Sequence, residues 1–376
     1  MANEIESIIE FGTGKEFLEI NNSVGQRWYL PYKKTRKFLS LFRPSSAIGK
    51  VVRFFIPIIK CNHALLSALK MKRVKLSLAT DIKKRIKEAF NEKNLEFAFF
   101  CGSPGRHRKT TIMIRNGQVV LGYCKATCDK EIAELFKKEK EALSFLHKKG
   151  IKGVPTILYS NGIKELPGIW LHIQTTTYSQ GKGKPNIYSR QVVEFIHDIQ
   201  TRTGIVCNYE ESDYSYAIAS LKKNYSKHLE PELQSSVASC IKDIECFLKS
   251  ENRIYNFSHG DFTPWNCLIS NDGLFTFDFE YCHKSYTPYY DFFHFYTQSS
   301  IYDNFWDDEK IYEGYKRLQS DLLDKYIPIE LSDIYYKCYL LGIIEFYLSR
   351  DNGILNNRIK ESIKIWVSII KRINNG

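Results

Sequence analysis

The chain has 376 residues, a net charge of +12, 43% hydrophobic and 14% aromatic residues. That length allows two or three structural units around ordinary cores, and the composition excludes a disordered or collagen-like chain. No apolar run reaches the length of a membrane span; Val51-Val-Arg-Phe-Phe-Ile-Pro-Ile-Ile59 is interrupted by Arg53 and Pro57.

The first stretch is basic. Its opening, Met-Ala-Asn-Glu-Ile-Glu, does not read as a signal peptide. No acidic residue occurs between Glu19 and Asp81, and twelve Lys and Arg fall between Lys33 and Lys75. Aromatic and apolar residues are interleaved, as in Phe38-Leu-Ser-Leu-Phe42. Residues 33–75 therefore suit an anionic membrane surface or an anionic glycan, the alternative being a solvated basic face. Nucleic acid is disfavoured, since no nucleic-acid module is recognisable. Asp81 to Phe90 is predicted as an amphipathic helix, with Ile82, Ile86 and Phe90 at four-residue spacing.

A β-rich stretch follows. Glu96–Phe100, Lys109–Ile114 and Val119–Ala126 are predicted strands. Gly102 and Gly105 lie in the turn between the first two, where backbone amides can approach phosphates, and Lys109 is a second phosphate-binding candidate. Glu131 to Lys149 is predicted helical. Val154–Leu158 and Gly168–Ile173 complete the strands, and Gln174–Tyr178 would be a hinge for a base to stack against. Lys182 and Lys184 lie in a Gly-rich linker. Beyond it the apolar spacing is helical, with Val192, Phe195, Ile196 and Ile199 on one stripe and Leu233, Val237, Ile241, Ile244 and Leu248 on another. Further helices are expected near 309–325, 332–350 and 357–373. The ten cysteines contain no Cys-x-x-Cys; Cys124 and Cys128 have no matching His or Cys pair for zinc, and reduced thiols in cytoplasm are expected.

The most informative block is His259-Gly-Asp-Phe-Thr-Pro-Trp-Asn266, with Asp278-Phe-Glu280 beginning twelve residues after Asn266. Asn266 comes five residues after Asp261, a tight loop that can turn both side chains to one point. Ser270-Asn-Asp-Gly273 between two apolar runs predicts a hairpin, which brings Asn266 and Asp278 to the ends of neighbouring strands. A loop Asp can accept a hydroxyl proton, and an Asn with a second Asp offers oxygen ligands of the kind Mg²⁺ takes.

The block resembles the aminoglycoside phosphotransferase and choline kinase superfamily, whose loop reads His-Gly-Asp-x-x-x-x-Asn and whose second motif often reads Asp-Phe-Glu. The resemblance covers roughly residues 95–350. It implies an α+β, two-lobed protein-kinase-like fold: a small antiparallel β lobe with one helix (95–178), then a larger, mainly helical lobe (179–376). The basic N-terminal extension (1–94) precedes both.

It implies Asp261 as catalytic base, Asn266 and Asp278 as Mg²⁺ ligands, and His259 and Asp291 as loop supports. Lys125 would pair with nucleotide phosphates and Glu139 with Lys125, Glu141 being the fallback. ATP or GTP would be the phosphoryl donor. The acceptor would be a hydroxyl of a sugar, aminoglycoside or amino alcohol, in surface polysaccharide or lipid metabolism. Glu280, Tyr281 and Trp265 are acceptor-binding candidates, and the acidic run Asp303, Asp307, Asp308 and Glu309 could attract an amine. A protein kinase and a non-catalytic kinase-like binding module are the alternatives. The expected location is cytoplasmic, peripheral at the inner membrane face if the basic stretch engages lipid.

Overall fold

The computed structural model describes residues 2–22, 25–42, 44, 47–102, 106–177 and 184–375. Gly105, Tyr178 and Lys182 lie outside them. The chain divides into two compact units, 1–143 with 155–179, and 144–154 with 180–376.

The first unit is built on an eight-stranded antiparallel sheet. Its elements in chain order are α1 (Ala2–Ile8), β1 (Ile9–Asn21), β2 (Arg27–Pro31), α2 (Ala47–Ile59), α3 (His63–Ala68), β3 (Lys72–Leu78), α4 (Thr80–Phe90), β4 (Glu96–Phe100), β5 (Thr110–Asn116), β6 (Val119–Thr127), α5 (Lys130–Lys148), β7 (Ile157–Gly162) and β8 (Trp170–Thr175). The strand order is β3-β1-β2-β4-β5-β6-β8-β7. The segment read as an N-terminal extension thus supplies three strands of the sheet that carries β4–β8. Residue 94 lies inside one compact unit, between α4 and β4.

Both sheet faces are buried. Phe17, Tyr29, Phe99, Ile112 and Ile114 join Ile5 and Ile8 of α1 and Ile82 and Ile86 of α4. Their strand neighbours Leu18, Trp28, Leu30, Ala98 and Met113 turn the other way. They pack with Phe38 of a 3-10 turn (Thr35–Phe38), Phe42, Ile56 and Ile59 of α2, and Leu66 of α3. Successive side chains in a strand point to opposite faces, so strands covered on both sides read as apolar runs.

The second unit is mainly helical: α6 (Arg190–Thr203), α7 (Asp213–His228), α8 (Pro231–Lys249), α9 (Tyr290–Tyr302), α10 (Asp308–Asp321), α11 (Ile329–Arg350) and α12 (Asn357–Asn375). Its strands are β9 (Ile205–Cys207), β10 (Arg253–Ser258), β11 (Cys267–Ser270), β12 (Gly273–Thr276) and β13 (His283–Tyr286). They form a three-stranded sheet, β13-β10-β9, and the hairpin β11–β12. α11 is apolar around most of its circumference and α9 is almost wholly buried, as core helices are. Among the described residues no helix is long and apolar enough to cross a membrane.

Candidate active site

Two groups of candidate residues lie in different units. In the first unit, Lys125 stands on β6 opposite His172 of β8. Its Nζ is 2.7 Å from Oε2 of Glu139 on α5, and both side chains are buried. The first turn of α5 is capped by Asp129, whose Oδ1 accepts the N–H of Glu131 at 2.7 Å. Removing two charges from water is costly, so a buried pair marks a position where the ammonium must be held in one place. His172 lies beside it, Nε2 3.4 Å from Glu139 Oε2, too poorly aligned for a hydrogen bond. Burial, opposed by the Glu139 carboxylate, lowers the His172 pKa from 6.5 to about 4. The imidazole is therefore neutral near pH 7, and the Lys125–Glu139 contact is the ion pair. Lys109 is half-buried, and its charge also acts on His172. Glu141 is exposed on the same helix. Gly102 holds φ +55°, and a Cβ there would come within 2.9 Å of the Lys109 carbonyl.

In the second unit, β10 delivers the chain into the His259 loop. Gly260 has φ +82°, and any Cβ on it would strike the Tyr281 carbonyl. Only glycine satisfies both constraints. Buried Asp291, in the first turn of α9, holds the loop shut. Its carboxylate accepts the His259 N–H at 2.7 Å, the Gly260 N–H at 3.1 Å and the Ser258 hydroxyl at 2.9 Å. His259 is buried against Phe279, ring centroids 4.3 Å apart. Its Nδ1 accepts the Asp261 N–H, so Nε2 carries the proton and donates to the Phe277 carbonyl at 3.0 Å.

Asp261 emerges from this loop with its side chain 35% exposed. Asn266 Nδ2 donates to its Oδ2 and to its backbone carbonyl, both at 2.9 Å. The amide nitrogen is thereby committed, and the oxygen remains as the side-chain acceptor of Asn266. A residue absent from the sequence reading completes the carboxylate's surroundings: His294 of α9, whose Nε2 is 3.3 Å from Asp261 Oδ1. The legible signal was its place three residues after Asp291, one turn along the same helix face.

The hairpin forms as expected, Cys267 opposite Thr276 and Ser270 opposite Gly273. Phe277 N–H donates to the Asn266 carbonyl at 3.1 Å, so Asp278 is the next residue beyond Asn266's partner. Asp278 has φ +74° and ψ +56°, a left-handed conformation costly for a residue with a side chain. A carboxylate oxygen of Asp278 and one of buried Glu280 lie within 4.8 Å of each other. Two such anions repel unless a cation or proton joins them, and all the candidate donors are oxygens, the set Mg²⁺ prefers.

The acceptor candidates separate. Trp265 is exposed, whereas Tyr281 is half-buried. Burial, then the Glu280 charge, pushes the Tyr281 phenol above its usual range. The acidic run has structural duties: Asp307 caps α10, Asp308 accepts from Arg372 and Ser368, and Asp303 pairs with Lys184. A cavity of about 520 Å³ opens next to Pro264, with Lys184, Asp303, Trp306 and Arg317 in its wall.

No protein-family model and no curated protein matches the sequence. Solved structures do match. A thermostable mutant of aminoglycoside phosphotransferase APH(4)-Ia, in ternary complex with ADP and hygromycin B, superposes with TM-score 0.52 at 13% identity, over 79% of this chain and 100% of that one. Its apo form gives TM-score 0.52 at 12% identity, over 77% and 98%. The fold is thus the α+β fold of these phosphotransferases.

Proposed function

We propose that the chain is a small-molecule kinase, moving the γ-phosphoryl group of a nucleoside triphosphate to a hydroxyl of a sugar, aminoglycoside or amino alcohol. The observation that carries this reading is the Asp261 carboxylate, fixed by Asn266 and His294 on a loop that Asp291 locks in place. In such a reaction the acceptor oxygen bonds to phosphorus, the bond from the γ-phosphorus to the bridging oxygen breaks, and a nucleoside diphosphate leaves.

Asp261 orients the hydroxyl and takes its proton. Lys125, held by Glu139, would neutralise phosphate charge, with Gly102 and Lys109 at the two ends of the β4–β5 connection as further phosphate-binding candidates. Asp278 and the Asn266 oxygen, with Glu280 beside them, would hold Mg²⁺, which when bound offsets charge on the phosphates. Positioning and electrostatics supply most of the catalysis. The fold match to a protein holding ADP and hygromycin B supports a nucleotide and a polar small molecule as ligands. ATP and GTP are both candidate donors. The cavity beside Pro264, with Trp265 at its margin in sequence, is the candidate seat for the acceptor, and its size suits a sugar-sized ligand. A nucleotide donor and free cysteines favour a cytoplasmic location.

The test is transfer from γ-labelled ATP and GTP to a panel of sugars, aminoglycosides and amino alcohols. An acceptor should be labelled by the natural chain, and Asp261→Asn should lower turnover about 10²–10⁴-fold with its circular dichroism unchanged. Undiminished turnover in that variant rules out Asp261 as the base. A chain that binds nucleotide yet labels no acceptor is a binding module.

A further inference from the structure

Helix α2 reverses the usual pattern of a surface helix. Its inward side, Ile56 and Ile59 with Val52, packs on Phe38, Phe42 and Leu66. Its outward side is apolar as well: Val51, Phe54, Phe55 and Ile58 are 58%, 77%, 44% and 68% exposed. The spacing i, i+3, i+4, i+7 puts these four on one stripe. The rings of Phe54 and Phe55 meet edge to face at 5.1 Å, and Leu65 on α3 adds a further exposed apolar side chain. Contiguous exposed apolar surface of this kind marks an interaction site.

Charge identifies the partner. The stripe sits in the acid-free segment between Glu19 and Asp81. Some of that segment's cations have internal duties: Arg53 donates to the Leu39 carbonyl, Lys60 to the Tyr32 carbonyl, Lys34 pairs with Glu96 and Arg73 with Glu16. Lys33, Arg36, Lys50, Lys70, Lys72 and Lys75 are exposed. α2 carries Lys50 itself and packs on the 3-10 turn that carries Arg36, while α3 leads directly to Lys70. A protruding apolar stripe accompanied by lysines, with no carboxylate in its stretch of chain, matches an anionic bilayer. Acyl chains accept the phenylalanines and headgroup phosphates accept the ammonium groups. Nucleic acid would leave the phenylalanines and isoleucine in water, and the apolar side of another protein would leave the lysines unanswered.

We propose that α2 is a membrane-docking helix, lying in the plane of an anionic lipid surface with Val51, Phe54, Phe55 and Ile58 inserted and Lys50, Arg36 and Lys70 on headgroup phosphates. This inference is independent of the phosphotransfer reading, and its test does not use activity. The full chain is sedimented with vesicles of phosphatidylcholine, alone and mixed with phosphatidylglycerol. The mixed vesicles should retain it in a salt-sensitive manner and the neutral ones far less. Phe54→Glu with Ile58→Glu should weaken retention about a hundredfold, and Lys50→Glu with Lys70→Glu about tenfold or more. Circular dichroism and the unfolding midpoint of each variant report its folding. Hydrogen exchange on the natural chain should show residues 49–59 protected by mixed vesicles, which needs no variant. A natural chain left in the supernatant at low salt overturns the proposal, as does an unprotected α2 on sedimented vesicles. It also falls if light scattering shows a dimer that the double glutamate variant abolishes, since the stripe would then cover a second copy.

Discussion

His294 and Asp261 are neighbours across the loop: Nε2 of the buried imidazole lies 3.3 Å from Oδ1 of the carboxylate. Asn266 takes the other oxygen at 2.9 Å, so the carboxylate is restrained on both sides. A base held in this way loses little time in unproductive rotamers. Replacing His294 with Phe should lower kcat about tenfold while leaving nucleotide affinity unchanged, the signature of lost positioning. Steady-state kinetics with the labelled acceptor, beside a nucleotide titration, gives both numbers. An unchanged kcat shows that Asn266 alone suffices.

Asp291 collects three donors in the protein interior. With Asp291→Ala these groups lose their shared acceptor, and stability should fall by about 2–5 kcal/mol. Urea denaturation measures this. A loss below about 0.5 kcal/mol, the ordinary range for surface sites, contradicts the buttress.

Gly260 permits no side chain. Its positive φ and the Tyr281 carbonyl leave no room for a methyl group. Gly260→Ala should destabilise the chain by about 1–3 kcal/mol and displace Asp261. Turnover should therefore drop even at temperatures where the variant is fully folded, which kinetics below the unfolding transition will show.

His172 makes stability depend on acid. Its folded pKa, about 4, lies below the 6.5 of an exposed histidine because burial disfavours the charged ring. Above pH 6.5 the ring is neutral in both states and contributes no pH dependence. As pH falls from 6.5 toward 4, the unfolded chain takes up a proton that the folded chain refuses. Stability then declines by a total of about 3 kcal/mol. His172→Gln should remove that share of the decline, so urea midpoints of variant and natural chain should converge between pH 7 and pH 4.5. Parallel curves contradict the assignment.

Local signals made much of this legible. Ser270-Asn-Asp-Gly273 located the β11–β12 hairpin, because tight turns have strict residue preferences. Periodicity gave Lys125 its strand and Glu139 its helix, and the family resemblance paired them; in the structure they are 2.7 Å apart. The first eighty residues were misleading for a physical reason. β2 and the Phe17–Ile20 half of β1 are buried on both faces, so they lack the alternation of a half-exposed strand, and the lysines of the segment drew the reading toward an extension. Asp303, Asp307 and Asp308 looked available to an amine, but their partners Lys184, Lys310 N–H and Arg372 are set by helix packing that no local pattern encodes. The left-handed backbone of Asp278 was equally invisible, since no local pattern requires it of an aspartate.

The most direct measurement is a calorimetric titration of the non-hydrolysable nucleotide AMP-PNP into the natural chain and into Asp278→Asn, each with and without Mg²⁺. The account predicts that Mg²⁺ tightens binding to the natural chain at least about tenfold and that the variant loses this gain. Equal affinity with and without the ion, or a variant that keeps the full Mg²⁺ effect, contradicts it.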